Sequence, residues 1–125
     1  MMQIKRNVLP SSEESEQAAV IDYCAIKNIP VVHIPNEGKR SPSYGAKLKR
    51  MGLKKGFPDL FFPIPRGGYH GLFIEMKYGK GKLTDDQKEW LGRLIDNGYA
   101  CYVCYSADEA IRIIKNYGKM KEGNT

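Results

Sequence analysis

Two apolar segments with charged residues at their ends constrain the fold more than any other feature of the chain. They read "DLFFPI" (59–64) and "GLFIEMK" (71–77), and the turn-rich "PRGGYH" separates them. Apolar runs on either side of a Gly- and Pro-containing turn predict a β-hairpin. In an antiparallel hairpin, Asp59 at the start of one strand and Glu75 near the end of the other come side by side. Lys77, two residues after Glu75, projects from the same face.

This arrangement of charges predicts a metal site. Two carboxylates at close range repel each other unless a proton or a cation lies between them. Mg²⁺ prefers oxygen ligands, and it can activate water and neutralise charge on a phosphate. An ordinary ion pair with Lys77 is the alternative interpretation of the bare residues. Because both acids lie in strongly apolar segments, where an unpaired charge is costly, the metal site is favoured.

The remaining segments predict an α/β fold. A polar lead is followed by a helix with Ser11 and Glu14 as its capping box. Next come a short strand, "PVVHIP", and a long basic loop over 36–56 with one short helix around "YGAKLKRM". After the hairpin we expect a helix capped by Thr84 with Leu91, Leu94 and Ile95 on one face, a strand "YACYVCY" and a helix from Ser106. This order predicts a mixed sheet with helices packed on it.

The positive charge of the chain is local. The net charge is +6, and seven basic residues between positions 39 and 55 have no acid among them. Without these seven the chain would be slightly acidic. Such a cluster predicts a surface that binds phosphates, with a solvated basic loop as the alternative. Its members are Lys39, Arg40, Lys47, Lys49, Arg50, Lys54 and Lys55.

Length and composition predict one intracellular domain. The 125 residues suffice for a single core, and we expect a lead over 1–10, a domain over 11–117 and a flexible tail over 118–125. No apolar run approaches the length of a membrane span, and no signal-peptide core is evident, which predicts a cytoplasmic protein. The cysteines, Cys24, Cys101 and Cys104, are expected to be reduced core thiols. In "CYVC" the two thiols should point to opposite faces of a strand.

The motif "GFPD" at 56–59 followed by "EMK" at 75–77 resembles the G-x-P-D … E-x-K signature of the PD-(D/E)xK nuclease superfamily. Within it, the chain is most similar to the virus-type replication-repair nuclease (VRR-NUC) family, especially its small stand-alone phage members. "HIPNEGKRS" before the hairpin and "LTDDQKEWL" after it strengthen the resemblance. The resemblance implies a restriction-endonuclease-like core, α-β-β-β-α-β, and the element order predicted above agrees with it.

The resemblance also implies a ligand set. The metal would be held by Asp59, Glu75 and the backbone carbonyl of Met76. A third carboxylate on the first helix would be Glu13, four residues before Gln17, and it would act directly or through water.

Two roles around this set stay open: which of Glu13, Glu14 and Glu16 completes the site, and what Gln87 does. Glu16 is the reserve choice for the third carboxylate, while Glu14 is assigned to the capping box. Gln87 matches a recurring glutamine of the family, and a role as capping partner of Thr84 explains it equally well.

By the same resemblance, the protein would be a Mg²⁺- or Mn²⁺-dependent DNA endonuclease. Lys77 would orient the attacking water, and the basic segment would grip the DNA backbone. Substrates would be branched DNA, such as flaps or four-way (Holliday) junctions, in replication, repair or recombination. The resemblance to stand-alone members also implies a homodimer. A phage protein would act in the host cytoplasm. The alternatives are a non-catalytic DNA-binding module on the same fold and a ribonuclease.

Overall fold

A computed structural model describes residues 11–35 and 41–122 of the chain. The predicted lead over 1–10 lies outside these residues, as do Lys39 and Arg40. Within them no helix is long and apolar enough to cross a membrane. The elements, in chain order, are α1 (Glu13–Lys27), β1 (Val32–His33), α2 (Pro42–Arg50), β2 (Leu60–Phe62), β3 (Leu72–Met76), α3 (Asp85–Asp96), β4 (Ala100–Cys104) and α4 (Ala107–Gly118).

The four strands form one mixed sheet in the order β1-β2-β3-β4. β1 and β2 pair antiparallel, β2 and β3 form the predicted antiparallel hairpin, and β3 pairs parallel with β4. The crossover from β3 to β4 runs through α3, as a parallel pair requires. The predicted α/β class and the α-β-β-β-α-β core are therefore confirmed, with α2 inserted after β1 and α4 added at the end.

The two faces of the sheet have different partners. Alternate strand residues pack with α1 and α4 into one core, which includes Val20, Cys24, Leu60, Phe62, Leu72, Ile74, Met76 and Ile114. The intervening residues face α3, where Phe61 stacks on Phe73 with ring centroids 4.5 Å apart. Phe57 bridges Phe73 to Trp90 of α3 through edge contacts of 5.4 and 5.2 Å. Since Glu75 and Lys77 follow Phe73 at intervals of two, they lie on the α3 face.

The start of α1 differs from the prediction. Its N-cap is Ser12, whose hydroxyl accepts the Ser15 N–H at 3.1 Å, and the Ser15 hydroxyl accepts the Ser12 N–H at 2.8 Å. The predicted pair of Ser11 and Glu14 was wrong by one residue, because a hydroxyl on a short side chain can serve as the return acceptor in a capping box. Glu14 is exposed.

The other helix predictions were closer. α3 has the predicted reciprocal cap between Thr84 and Gln87. Leu91 and Leu94 are buried, but Ile95 is 55% exposed and does not belong to the buried face. α2 begins at a Ser41 cap with proline in its first position, and it confirms the predicted short helix around "YGAKLKRM".

The end of the sheet away from Glu75 is closed by α4 and the residues after it. Tyr117 O–H donates to the Ile64 carbonyl at 2.5 Å, and Gly67 N–H donates to the Lys121 carbonyl at 2.7 Å. A cavity of about 380 Å³ lies here, lined by Ile29, Phe62, Ile64, Leu72, Ile114 and Tyr117 among others. The predicted tail is thus packed against the domain as far as Glu122, and residues 123–125 lie outside the described residues.

Candidate active site

The hairpin register brings Asp59 and Glu75 together. Leu60 pairs with Ile74, so continuing the register by one residue sets Asp59 opposite Glu75. Directly opposite residues of an antiparallel pair point to the same face, with Cβ atoms about 4.5–5.5 Å apart. Both carboxylates are buried, with 9% of Asp59 and 2% of Glu75 exposed. The predicted acidic pair is therefore a feature of the fold, and neither acid is a solvated surface group.

The backbone of Met76 positions Asp59. Met76 N–H donates to Asp59 Oδ2 at 2.9 Å, because β2 begins only at Leu60 and offers no backbone acceptor there. The N–H and C=O of one strand residue point to the same side, so the Met76 carbonyl also faces the edge that Asp59 occupies. The Asp59 backbone is fixed as well, since its carbonyl accepts the Ile34 N–H at 2.8 Å.

Lys77 lies on the same face, two residues after Glu75, and only 9% of it is exposed. Its N–H donates to the Cys104 carbonyl at 2.8 Å, which extends the parallel pairing of β3 and β4 by one residue. The salt bridges among the described residues join other side chains: Lys55 to Asp86, Arg66 to Glu122 and Arg93 to Glu89. The lysine of the E-x-K motif is thus held at the acidic edge by the backbone.

Gln87 is the predicted capping partner of Thr84, and its side chain also contacts Glu75. Its Oε1 accepts the Thr84 N–H at 2.9 Å, and its own N–H donates to Thr84 Oγ1 at 3.2 Å. Its Nε2 donates to Glu75 Oε1 at 3.4 Å. Only 3% of the residue is exposed. The amide therefore ties the first turn of α3 to one of the two carboxylates.

The glutamates of α1 occupy different positions. α1 begins at Glu13, which is half-buried. Glu16 Oε2 accepts the Ala107 N–H at 3.4 Å, so the reserve candidate contacts the first turn of α4. This contact places the start of α1 at the end of the sheet where β3 and β4 end. Within residues 11–35 and 41–122, no three His, Cys, Asp or Glu side chains form a group that could hold a metal ion. A role of Glu13 as the third carboxylate stays a prediction.

The described part of the basic segment is exposed. Lys47, Lys49 and Arg50 belong to α2, and Lys54 and Lys55 follow it. The segment ends at Gly56, whose φ of +88° favours glycine. A Cβ on Gly56 would lie 2.7 Å from Asp86 backbone carbon and 2.8 Å from Gln87 nitrogen. The basic segment therefore packs directly on the turn of α3 that carries Gln87.

Two lysines beside the site did not enter the sequence-based prediction. Lys80 and Lys82 are exposed and follow Lys77 within "KYGKGK". Alternation of glycine and lysine directly after E-x-K was the signal that could have identified them. His33 and Tyr69 are exposed at other positions, and Tyr44 is 52% exposed at the start of α2.

Cys24 and Cys104 are buried in the core as expected, whereas Cys101 is half-buried and lies outside the core cluster. Cys24, Cys101 and Cys104 are free. Cys101 and Cys104 pair in register with Phe73 and Met76, which confirms that they point to opposite faces of β4. Burial raises the pKa of Cys101 to about 11, and burial together with the charge of Glu109 raises that of Cys104 to about 12. Both thiols are protonated at neutral pH.

Comparisons with known proteins agree with this geometry. The family model described as the VRR-NUC domain matches residues 11–108. A solved structure titled "VRR_NUC domain protein" is 32% identical, with a TM-score of 0.80, and the match covers 94% of this chain and 96% of that one. No protein with curated annotation matches the chain. The chain therefore belongs to the VRR-NUC family, whose domain indicates a nuclease of the PD-(D/E)xK type.

Proposed function

We propose that the protein is a divalent-metal-dependent endonuclease that cuts branched DNA. The observation that carries this proposal is the pairing of Asp59 with Glu75 across the hairpin, with Lys77 on the same face. Burying two carboxylates and an ammonium group is costly for stability alone. A site that binds a cation and then a scissile phosphate accounts for that cost.

The donor atoms fit a hard divalent cation. Asp59 and Glu75 offer carboxylate oxygens on one face, and the Met76 carbonyl faces the same edge. These three groups would hold Mg²⁺, or Mn²⁺ in its place, with Glu13 as the further ligand directly or through water. When bound, the ion would supply Lewis-acid stabilisation of negative charge on the phosphate and lower the pKa of a water molecule.

Lys77 and Gln87 would have separate roles in phosphodiester hydrolysis. Lys77, on the same face as Glu75, would orient the attacking water and offset charge on the phosphate. Gln87 holds Glu75 Oε1 in place through its Nε2. The attack on phosphorus would be in line, with the bond to the 3′-oxygen breaking to leave a 5′-phosphate. Positioning and electrostatics of this kind account for most catalysis of phosphoryl chemistry.

The basic segment supports DNA as the substrate. Lys47, Lys49, Arg50, Lys54 and Lys55 are exposed, and the segment ends on the turn that carries Gln87. Lysine and arginine contacts to phosphates position a nucleic acid without reading its sequence. Weak sequence preference favours recognition of shape, such as flaps and four-way junctions. A homodimer would set two active sites against two strands.

A cleavage panel tests this function. Single-stranded, duplex, flap and four-way DNA, with matched RNA junctions, are incubated with the protein in Mg²⁺, in Mn²⁺ and in excess EDTA. We expect cleavage of branched DNA that needs the metal. Asp59→Asn keeps an acceptor for the Met76 N–H but loses the charge, so its cleavage should fall by about 10³-fold or more while DNA binding persists.

Asp96→Asn is the matched control, because Asp96 is an exposed acid at the end of α3, and it should cleave normally. Equal cleavage in EDTA would disprove the metal mechanism. Preferential cleavage of the RNA junctions would make the protein a ribonuclease. Binding of junctions without cleavage in either metal would make it a non-catalytic module.

A further inference from the structure

The segment from Tyr78 to Lys82, "YGKGK", connects two parts of the candidate active site. It begins directly after Lys77, which lies on the face of the acidic pair. It ends two residues before Thr84, the N-cap that exchanges hydrogen bonds with Gln87. Both ends of the segment are therefore anchored at the site.

The conformation of the segment keeps it close to Lys77. Gly79 has a φ of +61°, and Gly81 N–H donates to the Tyr78 carbonyl at 3.1 Å, which forms a tight turn. A Cβ on Gly81 would lie 3.7 Å from Lys77 Cδ. The turn thus folds back against the aliphatic part of Lys77, and the lysines on either side of Gly81 stay near the site.

The charges of this turn are available to a ligand. Lys80 and Lys82 are exposed, and no acid occurs between Lys77 and Thr84. Among the described residues, no salt bridge includes either lysine. The next acids along the chain are in the first turn of α3, where negative charge stabilises a helix start. One of them, Asp86, lies 3.9 Å from Lys55.

We propose that Lys80 and Lys82 bind phosphates of the DNA backbone next to the scissile phosphate, as a second contact surface in addition to the 41–55 segment. This inference rests on the proposed function, since it assigns a DNA contact beside that same site. The two lysines would act on affinity and on placement of the cut strand, because lysine contacts to phosphates position a nucleic acid without reading its sequence.

The salt dependence of DNA binding tests the proposal. Each lysine–phosphate contact contributes about one to the slope of log affinity against log salt concentration. A fluorescein-labelled four-way junction is titrated by anisotropy in EDTA, which prevents metal-dependent cleavage, between about 50 and 200 mM salt. For Lys80→Gln/Lys82→Gln we expect the magnitude of the slope to fall by about two.

Lys27→Gln/Lys119→Gln is the matched control. It removes the same charge from the opposite end of the sheet, where α1 and α4 end beside the cavity. This variant should keep the wild-type slope. Lys80→Arg/Lys82→Arg, which keeps both positive charges, should have the wild-type slope as well. An unchanged slope in Lys80→Gln/Lys82→Gln, or equal losses in both glutamine variants, would overturn the proposal.

The outcomes separate this inference from the proposed function. The nuclease proposal alone would be refuted if the wild-type protein cut no junction in either metal while Lys80→Gln/Lys82→Gln lowered the salt-dependence slope of junction binding. The second contact surface alone would be refuted if the wild-type protein cut junctions while Lys80→Gln/Lys82→Gln kept the wild-type salt-dependence slope.

Discussion

Gln87 joins the start of a helix to the acidic pair through a single side chain. Its Oε1 accepts the Thr84 N–H, and its Nε2 donates to Glu75 Oε1. The sequence presented the cap and the site as alternative roles. An amide carries an acceptor at one end and donors at the other, so the two roles are compatible. Local pattern predicted the cap, but the contact to Glu75 depends on how α3 packs on the sheet.

Replacing Gln87 should therefore affect stability and activity to different extents. In Gln87→Ala the free energy of unfolding should fall by about 1 kcal/mol through loss of the cap. Cleavage should fall further, by about 10–100-fold, because Glu75 loses a supporting donor. Urea unfolding and initial cleavage rates measure the two effects.

Thr84→Ala is the matched control for Gln87→Ala. It removes the hydroxyl that accepts the Gln87 N–H, while the Gln87 side chain keeps its donor to Glu75. We expect a similar loss of stability, of about 1 kcal/mol, with cleavage within a few-fold of wild type. Equal losses of activity in the two variants would show that Gln87 acts only through the helix.

At the scale of elements, the hairpin was the most predictable part and α1 the least. Asp59 and Glu75 belong to strands joined by a short turn, so their pairing follows from local sequence and antiparallel geometry. The position of α1 depends on tertiary packing against α4, and the "SSEESE" stretch offers several equivalent helix starts. That is why Ser11 was predicted as the cap in place of Ser12, and why the role of Glu13 is still a prediction.

The contact between the basic segment and α3 depends on Gly56. Gly56→Ala would place a Cβ 2.7 Å from backbone and side-chain carbons of Asp86, at a φ of +88°. Gly52→Ala is the control, because its φ is +107° but, among the described residues beyond its chain neighbours, no atom lies within 4 Å of the Cβ. In both variants the free energy of unfolding should fall by about 1 kcal/mol, because alanine is strained at a positive φ.

Only in Gly56→Ala should the free energy of unfolding fall by roughly a further 1–3 kcal/mol, because the new Cβ collides with Asp86. Its cleavage should also fall. Denaturant unfolding of the two variants under identical conditions checks this difference. If both variants lost the same stability, the close approach to α3 would have no energetic role.

The thiols of β4 predict a pH dependence of stability. Burial raises the pKa of Cys101 to about 11 and of Cys104 to about 12, from an ordinary value of 9.0. As pH rises through 9, the unfolded chain loses these protons first, so the folded state binds more protons. The free energy of unfolding should therefore fall between about pH 9 and 12.

Urea unfolding at several pH values between about 8 and 10 measures this effect. In Cys101→Ala/Cys104→Ala the decline should be shallower. It should not vanish, because burial also raises the pKa of Cys24. An identical decline in wild type and variant would show that other groups cause it.

At the scale of the whole molecule, the acidic pair and the cavity lie at opposite ends of the sheet. Asp59 and Glu75 lie where β2 begins and β3 ends, while Ile64 and Leu72 lie at the other end with the cavity. The sequence predicted the element order, the sheet class and the basic segment. It did not predict the packing of residues 119–122 on the hairpin turn, because that contact joins distant segments with no local signal.

Tyr117→Phe tests this separation. The variant removes the hydroxyl that donates to the Ile64 carbonyl, and the free energy of unfolding should fall by about 1 kcal/mol. Cleavage and DNA affinity should not change, since Ile64 lies at the cavity end. Tyr69→Phe is the control, because this neighbouring ring is 40% exposed, and its stability should change by less than about 0.5 kcal/mol. Loss of cleavage in Tyr117→Phe at unchanged stability would contradict the separation.

The packing of Lys121 on Gly67 also determines how the molecule can be handled in an experiment. Residues 119–122 run along the end of the sheet that lies away from the acidic edge. A fluorophore, an affinity handle or a solid support attached at Glu122 would therefore lie at the opposite end of the sheet from Asp59 and Glu75. A single-molecule test of the proposed junction cleavage can therefore immobilise the protein through this position and leave the acidic edge open to solution.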